Sequence, residues 1–181
     1  TFYGAKVRKT YTASSINAII RNNSSSGGVF TEIAIHMIHN GGFACGAAFN
    51  KNFILRHQII DSIEALEDLR KSKYLESDIT HLWKEIKVRL SNNQTGVFVG
   101  TPCQCAALHA LLGKDAEKLL ICDFICHGVG SPLVFEKFKA YLKDLYGLPQ
   151  RIEFRHKEKG EGSFFLYEGE KGRYMIPNYT E

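Results

Sequence analysis

Two cysteines occupy positions where the surrounding residues suggest chemistry. Cys103, in Gly100-Thr101-Pro102-Cys103-Gln104, follows the apolar run Val97-Phe98-Val99 and opens a segment of helical character. Pro102 suits the first helical turn, and a thiol beside the positive end of a helix favours the thiolate, the form that binds iron or attacks a substrate. Cys126, in Cys126-His127-Gly128, follows a second apolar run, Leu119-Leu120-Ile121-Cys122. If these runs are neighbouring parallel strands, both thiols open into one crevice beyond the strand ends, where ligands collect in such sheets. His127 then stands in that crevice as a candidate proton donor or hydrogen-bond partner to a cofactor. On spacing alone, a ligand role and an inert role are equally good readings of Cys103 and Cys126.

The other thiols fit chemistry less well. Cys105 is two residues beyond Cys103, about 200° around a regular helix, so the two cannot both face one site. Cys45 and Cys122 lie within apolar strand-like runs, where cysteine behaves as a small buried hydrophobe. A zinc site made by Cys103, Cys105, Cys122 and Cys126 lacks the spacing of paired zinc knuckles. A second candidate is Ser24-Ser25-Ser26-Gly27-Gly28 before a helix. Its hydroxyls, backbone N–H groups and glycines are the parts of a phosphate site, and Arg21 stands just upstream to add a charge. The same residues also make an ordinary helix cap. Arg70-Lys71-Ser72-Lys73-Tyr74 reads by itself as a solvated charge run, and His36 and His39 as structural or surface residues.

Positioning these residues requires an α/β fold. Val29 to Asn40 carries apolar residues at helical spacing, and Gly41-Gly42 ends it. Phe43 to Phe49 and Phe53 to Ile60 read as a hairpin around Asn50-Lys51-Asn52. Ser62 to Leu69 and Asp78 to Leu90 read as helices, the second with Asp78 as its cap. Then strand Gly96–Gly100, helix Pro102–Leu112, strand Lys118–Ile125 and helix Pro132–Tyr146 alternate, which implies parallel pairing through a right-handed crossover. The two apolar strands lack alternation, as strands covered on both faces do. Past Pro149 the pattern becomes strand-like at Arg151–Arg155, Ser163–Tyr167 and Arg173–Ile176. The expected architecture is a mixed sheet with a parallel βαβ core and helices on its faces over residues 1–149. A small antiparallel attachment occupies 150–181 and stops mid-pattern, as in a piece of a longer protein.

Composition narrows the class. The 181 residues are 44% hydrophobic, and 23 basic against 19 acidic residues give a net charge of +4 with no basic tract of the kind that binds nucleic acid. No apolar run reaches the ~18 residues of a membrane span, and no secretory leader opens the chain. Five cysteines, an odd number outside any disulfide-like framework, point to a reducing, cytoplasmic setting.

Taken in order, Arg21 with Ser24-Ser25-Ser26-Gly27-Gly28-Val29-Phe30, Ser72-Lys73-Tyr74 with Ser77, Gly100-Thr101-Pro102-Cys103-Gln104, Asp123 with Cys126-His127-Gly128-Val129, Ser131-Pro132 and Phe154-Arg155 with Lys157 resemble the coenzyme F420 hydrogenase/dehydrogenase beta-subunit family over roughly residues 20 to 157. The resemblance implies a subunit that binds FAD and a [4Fe-4S] cluster. It would pass electrons between an iron–sulfur donor, such as a ferredoxin-like domain or subunit, and an organic hydride acceptor such as coenzyme F420. By position it makes Cys103 and Cys126 cluster ligands. Arg21, the serine–glycine turn, Ser72, Lys73, Tyr74, Thr101 and Gln104 line the flavin. A four-iron cluster wants four ligands, so two cysteines leave it incomplete. Lys71 replaces the family's usual glycine, Glu76 its glutamine, Gly130 its proline and His156 its aspartate. Two other readings stay open: a thiol enzyme with Cys103 as nucleophile and His127 or His109 as base, and a non-catalytic docking module of a redox complex.

Overall fold

The computed structural model describes residues 9–158 and 161–178; the parts of the two expected regions that fall on 1–8, 159–160 and 179–181 lie outside the described residues. A short helix α1 (Ala18–Asn22), capped by the Asn17 side chain, precedes α2 (Val29–His39). Strands β1 (Phe43–Phe49) and β2 (Leu55–Ile60) form the expected hairpin, followed by α3 (Leu66–Leu69) and α4 (Trp83–Ser91). Then come β3 (Gly96–Gly100), α5 (Pro102–Leu112), β4 (Leu119–Asp123) and α6 (Pro132–Tyr146). Strands β5 (Pro149–Glu158), β6 (Glu161–Gly169) and β7 (Gly172–Pro177) complete the chain.

The first sheet has the order β2-β1-β3-β4, antiparallel between β1 and β2 and parallel across β1-β3 and β3-β4. Strand alternation divides its core. Phe43, Cys45 and Phe98 point to one face, packing with Ile86 and Leu90 of α4 and Leu108 of α5. Ala44, Ala48 and Val97 point to the other, against Ala34 of α2 and Leu66 and Leu69 of α3. Burying each large side chain here contributes about 1.5–3 kcal/mol. Gly96 is required where β1 and β3 pair, because a Cβ there would sit 2.7 Å from the Phe43 ring.

The second sheet, antiparallel β5-β6-β7, packs on α6 through Phe135, Leu142, Phe165 and Tyr167. Phe49, Phe53 and Leu75 of the first part join the same cluster. Phe154 stacks near Phe49 and takes Tyr74 edge-on. Aromatic pairs of this kind add about 0.5–1.5 kcal/mol beyond area burial.

Three expectations are corrected. The helix expected from Ser62 shortens to Leu66–Leu69. The one expected from Asp78 begins at Trp83, because the Asp78 carboxylate accepts from the Thr80 N–H at 2.9 Å while its backbone bridges to Arg56 beside β2. That is turn chemistry, in which an aspartate competes with the helix for local hydrogen bonds. Strand β4 is an edge strand with Leu120 43% exposed, so it is not covered on both faces; α6 packs on the second sheet instead. Helix α1 precedes the serine–glycine turn, in a stretch the sequence pattern assigns to no element. Among the described residues no helix is long and apolar enough to cross a membrane.

Candidate functional site

The carboxyl ends of β1 and β3 open on a cavity of about 620 Å³. Its walls come from the 24–31 turn and α2, the 69–75 loop, the start of α5, the 124–129 loop after β4, and Arg155 of β5. That volume lies within the range of small-molecule and cofactor sites. Among the described residues no aspartate or glutamate lines it, whereas Arg70, Lys71, Lys73 and Arg155 do.

The serine–glycine turn is built from several distinct contacts. Gly28 holds φ +81°, and a Cβ there would meet Ile20 Cγ2 at 2.8 Å, so only glycine fits. The Ser24 hydroxyl donates to the Ile20 carbonyl at 2.7 Å and is used up within the fold. Ser25 Oγ accepts the Ser72 N–H at 2.8 Å and lies 3.1 Å from Ser72 Oγ, joining two walls of the cavity. Ser26 lines the cavity with an exposed side chain. Among the described residues no side chain caps α2, which leaves its first N–H groups at the cavity beside Val29 and Phe30. Arg21 is outside the lining: its guanidinium donates to the Ser15 carbonyl at 2.5 Å and braces the turn from behind.

On the opposite wall the Lys73 ammonium donates to the carbonyls of Asp68 (2.9 Å) and Arg70 (2.6 Å). Burial, helped by the nearby Lys71 charge, brings its pKa down to about 8 against the pull of Asp68. Tyr74 stands half-exposed at the rim.

A hydrogen-bonded chain unseen in the sequence fixes the floor. His57 is buried on β2, its Nε2 3.0 Å from the Val99 carbonyl and its Nδ1 2.8 Å from Ser77 Oγ. A carbonyl can only accept, so Nε2 carries the proton and Nδ1 accepts from the Ser77 hydroxyl. Gln104 Nε2 donates to Ser77 Oγ (3.2 Å) and to its carbonyl (3.1 Å), while Gln104 Oε1 accepts the Thr101 N–H at 3.0 Å. His57, Ser77 and Gln104 thereby tie β2, β3 and the loop at 77 to the start of α5. Desolvation, outweighing the Val99 contact, lowers the His57 pKa to about 4 and keeps the ring neutral. Sequence reading missed His57 because a lone histidine in a strand carries no spacing signal; its partners are 20 and 42 residues away.

Cys103 and Cys126 leave adjacent parallel strands, whose last register pair is Gly100 with Asp123. Cys126 and His127 line the cavity. Cys103 is exposed just outside the lining, its Sγ 3.1 Å from Oγ1 of Thr101, which does line it. No hydrogen bond joins Cys103 to His127 or His109 among the described residues. Cys45 and Cys105 are buried, and Cys105 Sγ points at the Cys122 carbonyl, 3.5 Å away. Burial pushes Cys45 far above the usual thiol range and Cys105 up to about 11. Among the described residues no three His, Cys, Asp or Glu side chains group as a metal site. The residues present thus fit a bound anion, while the two open thiols do not by themselves fit a closed four-ligand cluster.

The architecture is a mixed α/β sheet with a basic cleft beyond its strand ends. No family model and no curated protein matches the sequence. Among solved structures, a chain of the F420-reducing [NiFe] hydrogenase complex from Methanosarcina barkeri, determined in a xenon-derivatised form, shares the fold with a TM-score of 0.59. The two are 17% identical over 91% of this chain and 58% of that one, so this chain spans little more than half the length of its structural neighbour.

Proposed function

We propose that this chain is the flavin-binding part of a redox subunit resembling the F420 hydrogenase/dehydrogenase beta subunits, with FAD held in the 620 Å³ cavity. The observation that carries this reading is convergence. Ser24 to Gly28, Ser72 to Tyr74, Thr101 with Gln104, and Cys126 with His127 are separate in sequence yet line one basic cavity, with no carboxylate in its lining among the described residues. The shared fold of the hydrogenase-complex chain is compatible with it.

The bound flavin would supply hydride and single-electron chemistry; the protein supplies binding, orientation and electrostatics. The uncapped start of α2 offers N–H groups and partial positive charge to the diphosphate. Lys73 adds a cation fixed by two carbonyls. His127, exposed at the cavity mouth, is placed to exchange a proton with an organic hydride acceptor, coenzyme F420 or another. Cys103 and Cys126 are proposed as two thiolates of a [4Fe-4S] site whose other ligands are not among the described residues. Ile125, next to Cys126 in sequence and 87% exposed, offers an apolar contact for an iron–sulfur donor. The thiol-enzyme reading is less favoured, since among the described residues Cys103 has Thr101 as its hydrogen-bond partner and no histidine.

The test is anaerobic reconstitution of the full protein with FAD, iron and sulfide. Co-eluting flavin absorbance with a cluster band that Cys126→Ser abolishes supports the proposal. FAD that elutes free of protein overturns the flavin assignment, and an unchanged cluster spectrum removes Cys126 from the ligand set.

A further inference from the structure

Strand β5 of the second sheet forms one wall of the cavity, and three of its residues reach that side. Glu153 accepts from Lys71 Nζ at 2.6 Å, and Lys157 Nζ donates to the Ser24 carbonyl at 2.7 Å, so β5 is latched to both the 69–75 loop and the serine turn. Arg155 lies between the two latches and lines the cavity, but has no ion pair or hydrogen bond among the described residues. Its Nε is buried without a partner.

The strand is irregular at this point. Glu153 pairs with Leu166 and His156 with Phe164, so β5 spends one more residue than β6 between these pairs. A bulge re-aims a side chain, and here the displaced stretch contains Arg155. Arg70 and Lys71, also in the lining, already have carboxylate partners, Glu67 and Glu153, each at 2.6 Å, although Arg70 Nε is like that of Arg155 buried without a partner; Lys73 donates to two carbonyls and has no carboxylate partner among the described residues. A guanidinium held partly out of water with no counter-charge is costly unless an anion completes it. The start of α2, with its uncapped N–H groups, lines the same cavity and is a second donor set suited to the same kind of group.

We infer that Arg155 is the oxyanion anchor of this cavity, gripping a phosphate or diphosphate group of the ligand together with the amino end of α2. The inference rests on the ligand lying in this cavity, whether or not that ligand is a flavin. The oxyanion belongs either to the flavin or to the phosphorylated organic acceptor.

Binding of inorganic diphosphate, FAD and riboflavin to the full protein, wild type against Arg155→Met and Arg155→Lys, tests it by calorimetry, with circular dichroism verifying the fold of each variant. Loss of one charge-assisted contact should weaken diphosphate binding about tenfold or more in Arg155→Met, with partial recovery in Arg155→Lys. If FAD weakens in parallel while riboflavin does not, the anchor serves the flavin's diphosphate. If FAD is unaffected and only the FAD-loaded protein loses diphosphate binding, the anchor serves the acceptor. Diphosphate binding that is absent from the wild type, or equal in wild type and Arg155→Met, overturns the inference. Failure of FAD to bind while diphosphate binding still depends on Arg155 overturns the flavin reading alone.

Discussion

The Lys71 ammonium meets the Glu153 carboxylate at 2.6 Å, and Lys71 makes that contact from a left-handed backbone, φ +67°. This conformation costs a non-glycine residue roughly 1–2 kcal/mol. The position is one where the resembling family usually has glycine, and the ion pair is what this chain has in return. It couples the cavity rim to the second sheet, so the sheet acts as part of the site.

Glu153 also receives Arg151 and His156, at 2.7 and 2.9 Å. Burial alone would raise its pKa, but hydrogen bonds from Lys71, His156 and Arg151 prevail and hold it below the usual carboxylate value. Glu153→Gln should therefore destabilise by about 1–3 kcal/mol, because Lys71 and Arg151 lose their anion, and His156 its carboxylate partner, in a half-buried place. Lys71→Gly should cost less, since glycine adopts the left-handed backbone freely. With its folded pKa depressed, the Glu153 contribution is complete above about pH 4.3 and fades as pH falls through the folded value. Urea midpoints at pH 7 and pH 3 check this: the gap between wild type and Glu153→Gln should narrow at the lower pH, and a constant gap would rule out the carboxylate as its source.

His57 should make the protein acid-sensitive in a different window. Its folded pKa of about 4 lies below the unfolded value of about 6.5, so the unfolded chain binds the extra proton first. Stability is complete above pH 6.5 and falls between there and 4, by a few kcal/mol at 1.36 kcal/mol per unit. His57→Gln removes the titration, costs about 1–3 kcal/mol at pH 7 by disturbing the Val99 and Ser77 contacts, and should flatten stability between pH 6.5 and 4.5. Chemical denaturation across that range decides it; a variant with the wild-type slope would show that another group carries the acid sensitivity.

These two residues also mark the limit of what the sequence disclosed. Elements with strong local signals were legible: β3, α5 and α6 stand at the residues their apolar runs and prolines indicate, because Pro102 and Pro132 start helices and Gly113 and Gly147 end them. The parallel neighbours that carry Cys103 and Cys126 were legible for the same reason. The second sheet's role in the cavity was not, since Glu153 finds Lys71 82 residues away and Lys157 finds Ser24 133 residues away. Nor was the fate of Ser24, whose hydroxyl prefers the carbonyl of Ile20 in a helix too short to signal itself. Pairings set by tertiary folding leave no period in the chain.

The five thiols should separate cleanly by reactivity. Alkylation requires the thiolate and access to it, and the structure grades both. Cys103 is exposed, Cys126 and Cys122 are half-buried, and Cys45 and Cys105 are buried. Burial, with Asp123 nearby, raises the Cys122 pKa as well, so of the two half-buried thiols Cys126 is the better placed to react. Native protein without bound metal, treated with iodoacetamide at neutral pH and mapped by peptide mass spectrometry, should carry label first at Cys103 and then at Cys126. Cys45 and Cys105 should label only after denaturation. Early labelling of Cys105 would mean that α5 is turned about its axis, withdrawing Cys103 from the crevice and removing the physical basis for pairing it with Cys126. If cluster reconstitution then protects Cys103 and Cys126 together, leaving Cys122 at its former rate, the two thiols act as a unit.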